Sequence, residues 1–320
     1  MKKTTVQIPN YNFRIDHHKP VCFLGSCFSE NMSSKFKKHG FHIAEDPYGI
    51  IYNPFSLAQN IKDMLDENVD QQKFFEKDGV YFSWQAHSKV YGISKSDLLN
   101  KLTSRTQYFS EKLSDSEILF ITFGTAFYYQ QKSDVVGNCH KFPQKQFKKK
   151  LLSVDEIVSL WEPVLKSLPT KKVIFTVSPV RHVKDGLIEN NRSKSILLEA
   201  VHQFTQKENA FYFPSYEIVI DELRDYAYFG KDGVHPNEFA IDYIWDKVQS
   251  SFFTEETQND AQEFHQLYQL FQHKILFPES KSAEKFEVNR QKKLEHLKKE
   301  KSYFNFDEID ILRYTGTIID

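Results

Sequence analysis

The sequence predicts an α/β protein built on an open parallel sheet of about five strands. Short apolar or β-branched runs bounded by turn residues recur along the chain, and segments with helical hydrophobic periodicity lie between several of them. With 320 residues, 40% hydrophobic and 15% aromatic, the chain can also bury the substantial core that such a sheet needs.

The expected strands are residues 21–24, 41–44, 118–123, 173–177 and 211–213, each short enough to be a buried parallel strand. Helical patterns occupy 30–38, 154–168, 193–207 and 238–253. Residues 46–115 form a long insertion after the second strand, rich in aromatic residues such as Tyr48, Tyr52, Phe75 and Trp84 and too apolar for a linker. This insertion is expected to fold over the sheet, either as core or as a cover over the substrate pocket. The main α/β unit is assigned to residues 1–253 and a charged helical C-terminal extension to 254–320, with helices expected at 258–277 and 283–301.

Composition narrows the function classes. Forty-two basic and 43 acidic residues give a formal charge of -1, so no global field favours nucleic acid or an anionic membrane surface. Cys22, Cys27 and Cys139 form no CxxC pair, which argues against a disulfide framework or a cysteine-rich zinc site. Met1-Lys2-Lys3 is not followed by an apolar signal core, and no stretch is long enough to cross a bilayer, so a cytoplasmic location is expected. The twelve histidines include no helix-spaced His-x-x-x-His pair, and Gly25 belongs to neither kind of glycine-rich phosphate loop. A metal-independent site without a cofactor is the expectation.

Gly25-Ser26-Cys27-Phe28 follows the first strand and precedes a helix. A tight glycine turn at that junction exposes a side chain beside free backbone N–H groups, a setting suited to the nucleophile Ser26. Cys27 is the competing nucleophile, but neighbours on an emerging helix point about 100° apart, so only one can face a pocket. Far downstream, Asp232-Gly233-Val234-His235 supplies a carboxylate three positions from an imidazole, the pairing that orients a general base beside a serine. In an open parallel sheet these loops gather beyond the carboxyl ends of the strands.

Gly25-Ser26-Cys27-Phe28-Ser29 resembles the signature of the GSCFA domain family, related to the SGNH or GDSL hydrolases. The blocks around Gly124, Asn138-Cys139-His140-Lys141, Ser178-Pro179-Val180-Arg181-His182 and Phe213-Pro214-Ser215 also resemble that family, so the likeness spans about residues 20–250. It implies a three-layer, flavodoxin-like SGNH-hydrolase fold and ester chemistry, with Ser26 as nucleophile, His235 as base and then acid, and Asp232 orienting the imidazole. The wider SGNH pattern carries a Gly-x-Asn-Asp block where this chain has Gly124-Thr125-Ala126-Phe127. The oxyanion donors are therefore expected from the backbone at Ser26 and Gly124 and from the Asn138 amide. His87, His140, Arg181 and His182 are the substrate-binding candidates, Arg181 as a partner for a carboxylate or phosphate. The expected substrate is a small-molecule or carbohydrate ester. An acyltransferase using the same site and a non-catalytic carbohydrate- or acyl-binding protein are the alternatives.

Overall fold

In the computed structural model, which describes residues 4–315, the apolar run after Pro20 becomes β1 (Val21–Gly25), buried throughout. Along the chain follow α1 (Cys27–Lys38), β2 (Ile43–Glu45), α2 (Pro54–Leu65), the hairpin β3 (Phe74–Lys77) and β4 (Val80–Ser83), α3 (Lys95–Asp115) and β5 (Ile118–Phe123). Next come β6 (Phe127–Gln131), β7 (Asp134–Val136), β8 (Lys148–Leu151), α4 (Val154–Lys166), β9 (Lys172–Val177), α5 (Leu187–Phe204) and β10 (Ala210–Tyr212). A single turn, α6 (Ser215–Glu217), runs into a π-helical turn over Ile218–Leu223, and α7 (Glu238–Phe252), α8 (Glu255–Gln272), α9 (Lys281–Glu300) and α10 (Asp307–Thr315) complete the chain. Met1, Lys2, Lys3 and the last five residues of the expected C-terminal extension lie outside the described residues.

The central sheet is parallel, in the order β10-β9-β5-β1-β2. Counting these five strands alone gives the order 2-1-3-4-5, whose winding reverses between β1 and β5, the crevice where such sheets collect ligands. Alternation along each strand separates two cores. Cys22, Leu24, Leu119, Ile121, Val173 and Phe175 face α2, α3, α4 and α5. Val21, Phe23, Phe120 and Ile174 face α1, α7 and the N-terminal segment. On that second face Tyr11 stacks on Phe252 at 4.4 Å, and Ile15 N–H donates to the Phe252 carbonyl at 2.8 Å.

Several boundaries differ from the sequence expectation for local reasons. The second strand is Ile43–Glu45 and not 41–44, because the end of α1 closes with Gly40 N–H on the Lys37 carbonyl and Phe41 N–H on the Phe36 carbonyl. This paired closure, with Gly40 at φ +87°, uses the Phe41 amide before a strand can form. Helix α1 begins at Cys27, with Ser26 as its cap, and not at residue 30. Helix α5 begins at Leu187, six residues before the expected start, on a turn whose Leu187 and Ile188 are exposed and so do not join the buried apolar period, and α8 stops at Gln272 and not at 277. The antiparallel sheet β7-β6-β8 was not expected at all, since its strands are rich in Gln, Tyr and Lys and partly exposed.

Helices α8–α10 build a third apolar cluster around Phe264, Leu267, Leu294 and Phe304. This unit docks at the C-terminal end of α1. A Cβ on Gly40 would meet the Phe264 ring at 2.8 Å, and Asn305 N–H donates to the Gly40 carbonyl at 2.8 Å. His17 lies at the seam, stacked on Phe41 at 3.8 Å and edge-on to Phe304 at 4.7 Å, with Nε2–H donating to the His39 carbonyl. Stacked on His265, His39 donates Nδ1–H to the Lys35 carbonyl.

Burial pushes His17 down to about 4 and His39 to about 3, against an ordinary value of 6.5. Their neutral rings contribute stability that is full above pH 6.5 and lost as the pH falls toward 4, because the unfolded chain then binds the extra protons. The thermal midpoint should therefore drop between pH 6.5 and 4, and His17→Leu should flatten that drop. Equal pH dependence in parent and variant, followed by circular dichroism, would remove His17 as a cause.

Candidate functional site

The end of β1 is shaped by one close approach. At Gly25, φ is +127° and a Cβ would stand 2.3 Å from the Thr122 carbonyl oxygen of β5, so only glycine fits. The chain then turns into α1 with Ser26 as its N-cap. Ser26 N–H donates to the Thr122 carbonyl at 3.2 Å, and its Oγ accepts from Phe28 N–H at 3.2 Å. The hydroxyl is thus held at the positive end of a 12-residue helix, where negative charge on oxygen is favoured. An accepting Oγ still keeps its proton to give to a base.

The loop before α7 preorganises the imidazole. Asp232 Oδ1 accepts from Val234 N–H at 2.9 Å and His235 N–H at 3.1 Å, while Oδ2 accepts His235 Nδ1–H at 2.7 Å. Gly233, at φ +65°, closes the turn by donating to the Gly230 carbonyl, and Gly230 N–H donates to the His235 carbonyl. The Val234 amide, then the His235 imidazole and the His235 amide, hold the Asp232 carboxyl at about 2, ionised through the physiological range. With Nδ1 committed to that carboxylate, Nε2 is the nitrogen free to accept a proton.

Ser26 and His235 line one cavity of about 560 Å³, together with Tyr52, Asn138, Arg181 and His182. Among the described residues no hydrogen bond joins Ser26 Oγ to His235; the two groups face a shared space with the serine bonded to Phe28. Nucleophile–base contacts commonly tighten only when substrate is bound.

The remaining expected residues separate into groups. Gly124 N–H is already bonded to the Tyr52 carbonyl at 2.7 Å, as Ser26 N–H is to Thr122. Asn138 is different. Its Oδ1 accepts from His140 N–H at 2.7 Å and from Ser88 Oγ at 3.3 Å, which fixes the side chain and leaves its NH₂ without a protein acceptor among the described residues. His140 borders the cavity, but both its ring nitrogens are engaged: Nε2–H donates to the Ser83 carbonyl, and Nδ1, also 3.3 Å from Ser88 Oγ, shares that hydroxyl's single proton with Asn138 Oδ1. Burial pushes that imidazole down to about 4, so its place is structural support behind Asn138 and not direct contact through a free nitrogen. His87 lies outside the cavity lining, with Nδ1 accepting from Lys89 N–H. His182 lines it, its ring tilted against Tyr52 at 5.4 Å between centroids and pushed down to about 4 by burial. Cys27 lines it too, but burial first and then Glu30 raise its thiol above the ordinary value, which disfavours the thiolate.

Two residues of α5 that the sequence reading passed over brace this site. Lys194, 1% exposed, donates through Nζ to the Gly124 and Ser178 carbonyls, each at 2.6 Å, tying the ends of β5 and β9 together. Burial pushes its ammonium down to about 7. Ser193 Oγ accepts from Ala126 N–H at 2.7 Å and pairs with Thr125 Oγ1 at 2.9 Å. The available signal was position: Lys194, Leu197, Val201 and Phe204 fall on one helical face, so the lysine occupies a core register. Lys194→Met leaves two buried carbonyls without donors and should destabilise the fold by roughly 2–4 kcal/mol in urea unfolding. A change below about 0.5 kcal/mol would contradict this bracing role.

Among the described residues no three His, Cys, Asp or Glu side chains group as metal ligands, and no helix is long and apolar enough to cross a membrane. In comparisons with known proteins, the model of the GSCFA family matches residues 20–248, which covers the central sheet and both loops of this cavity. No curated protein matches the chain.

Proposed function

Because the chain belongs to the GSCFA family, we propose that its cavity is the site of a metal-independent serine esterase or acyl hydrolase acting on an O-acyl substrate, such as an acylated carbohydrate. The observation that carries this reading is the convergence of the Ser26 hydroxyl, at a helix N-terminus, and a carboxylate-oriented imidazole on one cavity.

In the proposed reaction His235 Nε2 takes the Ser26 proton as Oγ attacks the ester carbonyl. The tetrahedral intermediate collapses, the C–O bond to the alcohol breaks, and the imidazolium returns its proton to the leaving oxygen. Water then attacks the acyl-serine, His235 removes its proton, and the acid departs as Ser26 recovers a hydrogen. Asp232 keeps the imidazole in the tautomer with Nε2 unprotonated and stabilises the imidazolium. An alcohol taking the place of water would make the same site a transferase.

The Ser26 and Gly124 amides already have carbonyl partners, so the oxyanion role falls chiefly to Asn138 Nδ2, with the first-turn amide of Cys27, which lines the same cavity, as a second donor. Asn138→Ala should lower kcat about 10²–10³-fold with little change in KM. A fluorophosphonate probe should label Ser26 in the parent and leave Ser26→Ala unlabelled, as read by peptide mass spectrometry. The missing hydrogen bond between Ser26 and His235 favours a second reading, a pocket that binds acylated ligands without turnover. Folded protein that binds ligand yet gives neither adduct nor hydrolysis would establish that second reading in place of the first.

A further inference from the structure

The charge of the cavity wall departs from that of the chain. The whole protein carries a formal charge of -1, yet the cavity is lined by Lys141, Arg181 and Lys184 against a single carboxylate, Asp185. Asp185 is itself ion-paired to Lys149. The three cations make no ion pair with any described residue.

Arg181 is the best placed of them. Its guanidinium lies over the Phe229 ring at 4.2 Å and the Tyr226 ring at 5.0 Å, and its backbone N–H donates to the Val234 carbonyl in the loop that carries Asp232 and His235. Ring faces hold the planar group without occupying its five N–H donors. The fork is therefore held on the cavity that His235 also lines, partly shielded from water and, among the described residues, short of an acceptor. On the same cavity lining, His140 and Lys141 both adopt left-handed backbone, at φ +47° and +57°, an unfavourable conformation for non-glycine residues.

We infer that the molecule bound in this cavity carries an anionic group, a carboxylate or a phosphate, close to its acyl ester, and that Arg181 receives it as a two-pronged hydrogen-bond donor. Lys141 and Lys184 add long-range attraction at the rim. The position of the ester rests on the esterase reading above; anion binding does not. A planar carboxylate or a phosphate edge matches the guanidinium fork, whereas a neutral hydroxyl would leave the charge uncompensated.

The test uses the full chain carrying Ser26→Ala, titrated by calorimetry with three probes: an O-acetyl methyl glucuronoside, an O-acetyl glucose 6-phosphate and the neutral O-acetyl methyl glucoside. At least one anionic probe should bind roughly 10- to 100-fold more tightly than the neutral sugar, and adding Arg181→Met should erase that preference. Preference for the glucuronoside alone would identify a carboxylate, and preference for the sugar phosphate alone a phosphoryl group. Equal affinity for all three, no binding of any, or a preference that survives Arg181→Met would overturn the inference. Should Arg181→Met fail to fold, Lys184→Glu at an exposed position should still weaken the anionic probe severalfold, and an unchanged affinity would count against the proposal. Turnover of the same probes by the parent is scored separately: selective anion binding without hydrolysis would leave the anion site standing and remove the esterase reading.

Discussion

At Gly25 the backbone of β1 comes so near to β5 that a single methyl group would collide with the Thr122 carbonyl. That approach fixes where β1 stops, and with it the direction in which α1 leaves the sheet. Because Ser26 is both the residue after the contact and the cap of the helix, its hydroxyl inherits a position set by two rigid elements. The sheet order supplies the rest, since β1 and β5 flank the point where the winding reverses and a crevice opens above their carboxyl ends.

Strand ends in such a crevice present carbonyl oxygens with no neighbour to pair them, and the protein satisfies them one by one. Thr122 receives Ser26 N–H, and the Gly124 and Ser178 carbonyls, just past β5 and β9, share the Lys194 ammonium, while Gly124 N–H goes to the Tyr52 carbonyl in the loop before α2. Buried polar groups left alone would cost more than these bonds contribute, so the surroundings of the cavity are held in one arrangement. The same pairing decides which donors remain for a ligand. Asn138 keeps its amide hydrogens because His140 and Ser88 address only its oxygen.

What the sequence made legible follows from locality. Strands β1, β5 and β9 are buried on both faces and read as continuous apolar runs, and the Gly25-Ser26 turn and the Asp232 to His235 pair are each contained within a few residues. The sheet β7-β6-β8 escaped notice because it is polar and partly exposed, which blurs the apolar alternation. His140 resembled a ligand-binding loop residue, and only tertiary structure reveals that both its nitrogens are occupied. Lys194 was hidden for the opposite reason: a lysine is ordinarily a surface residue, and its carbonyl partners lie 70 and 16 positions away in the chain.

The region recognisable as the family, residues 20–248, is narrower than the unit that holds itself together. Its downstream limit falls inside α7, four residues short of Phe252, and its upstream limit omits Tyr11 and Ile15, which close one face of the sheet against that same phenylalanine. A fragment cut to those limits would bare the apolar flank of α1 and α7, strip Gly40 of the cover given by Phe264 and Phe304, and strip Phe41 of His17 and Phe253. The stretch that matches the family and the set of residues packed together in this fold are thus different objects, and a boundary drawn from the first would cut through the second.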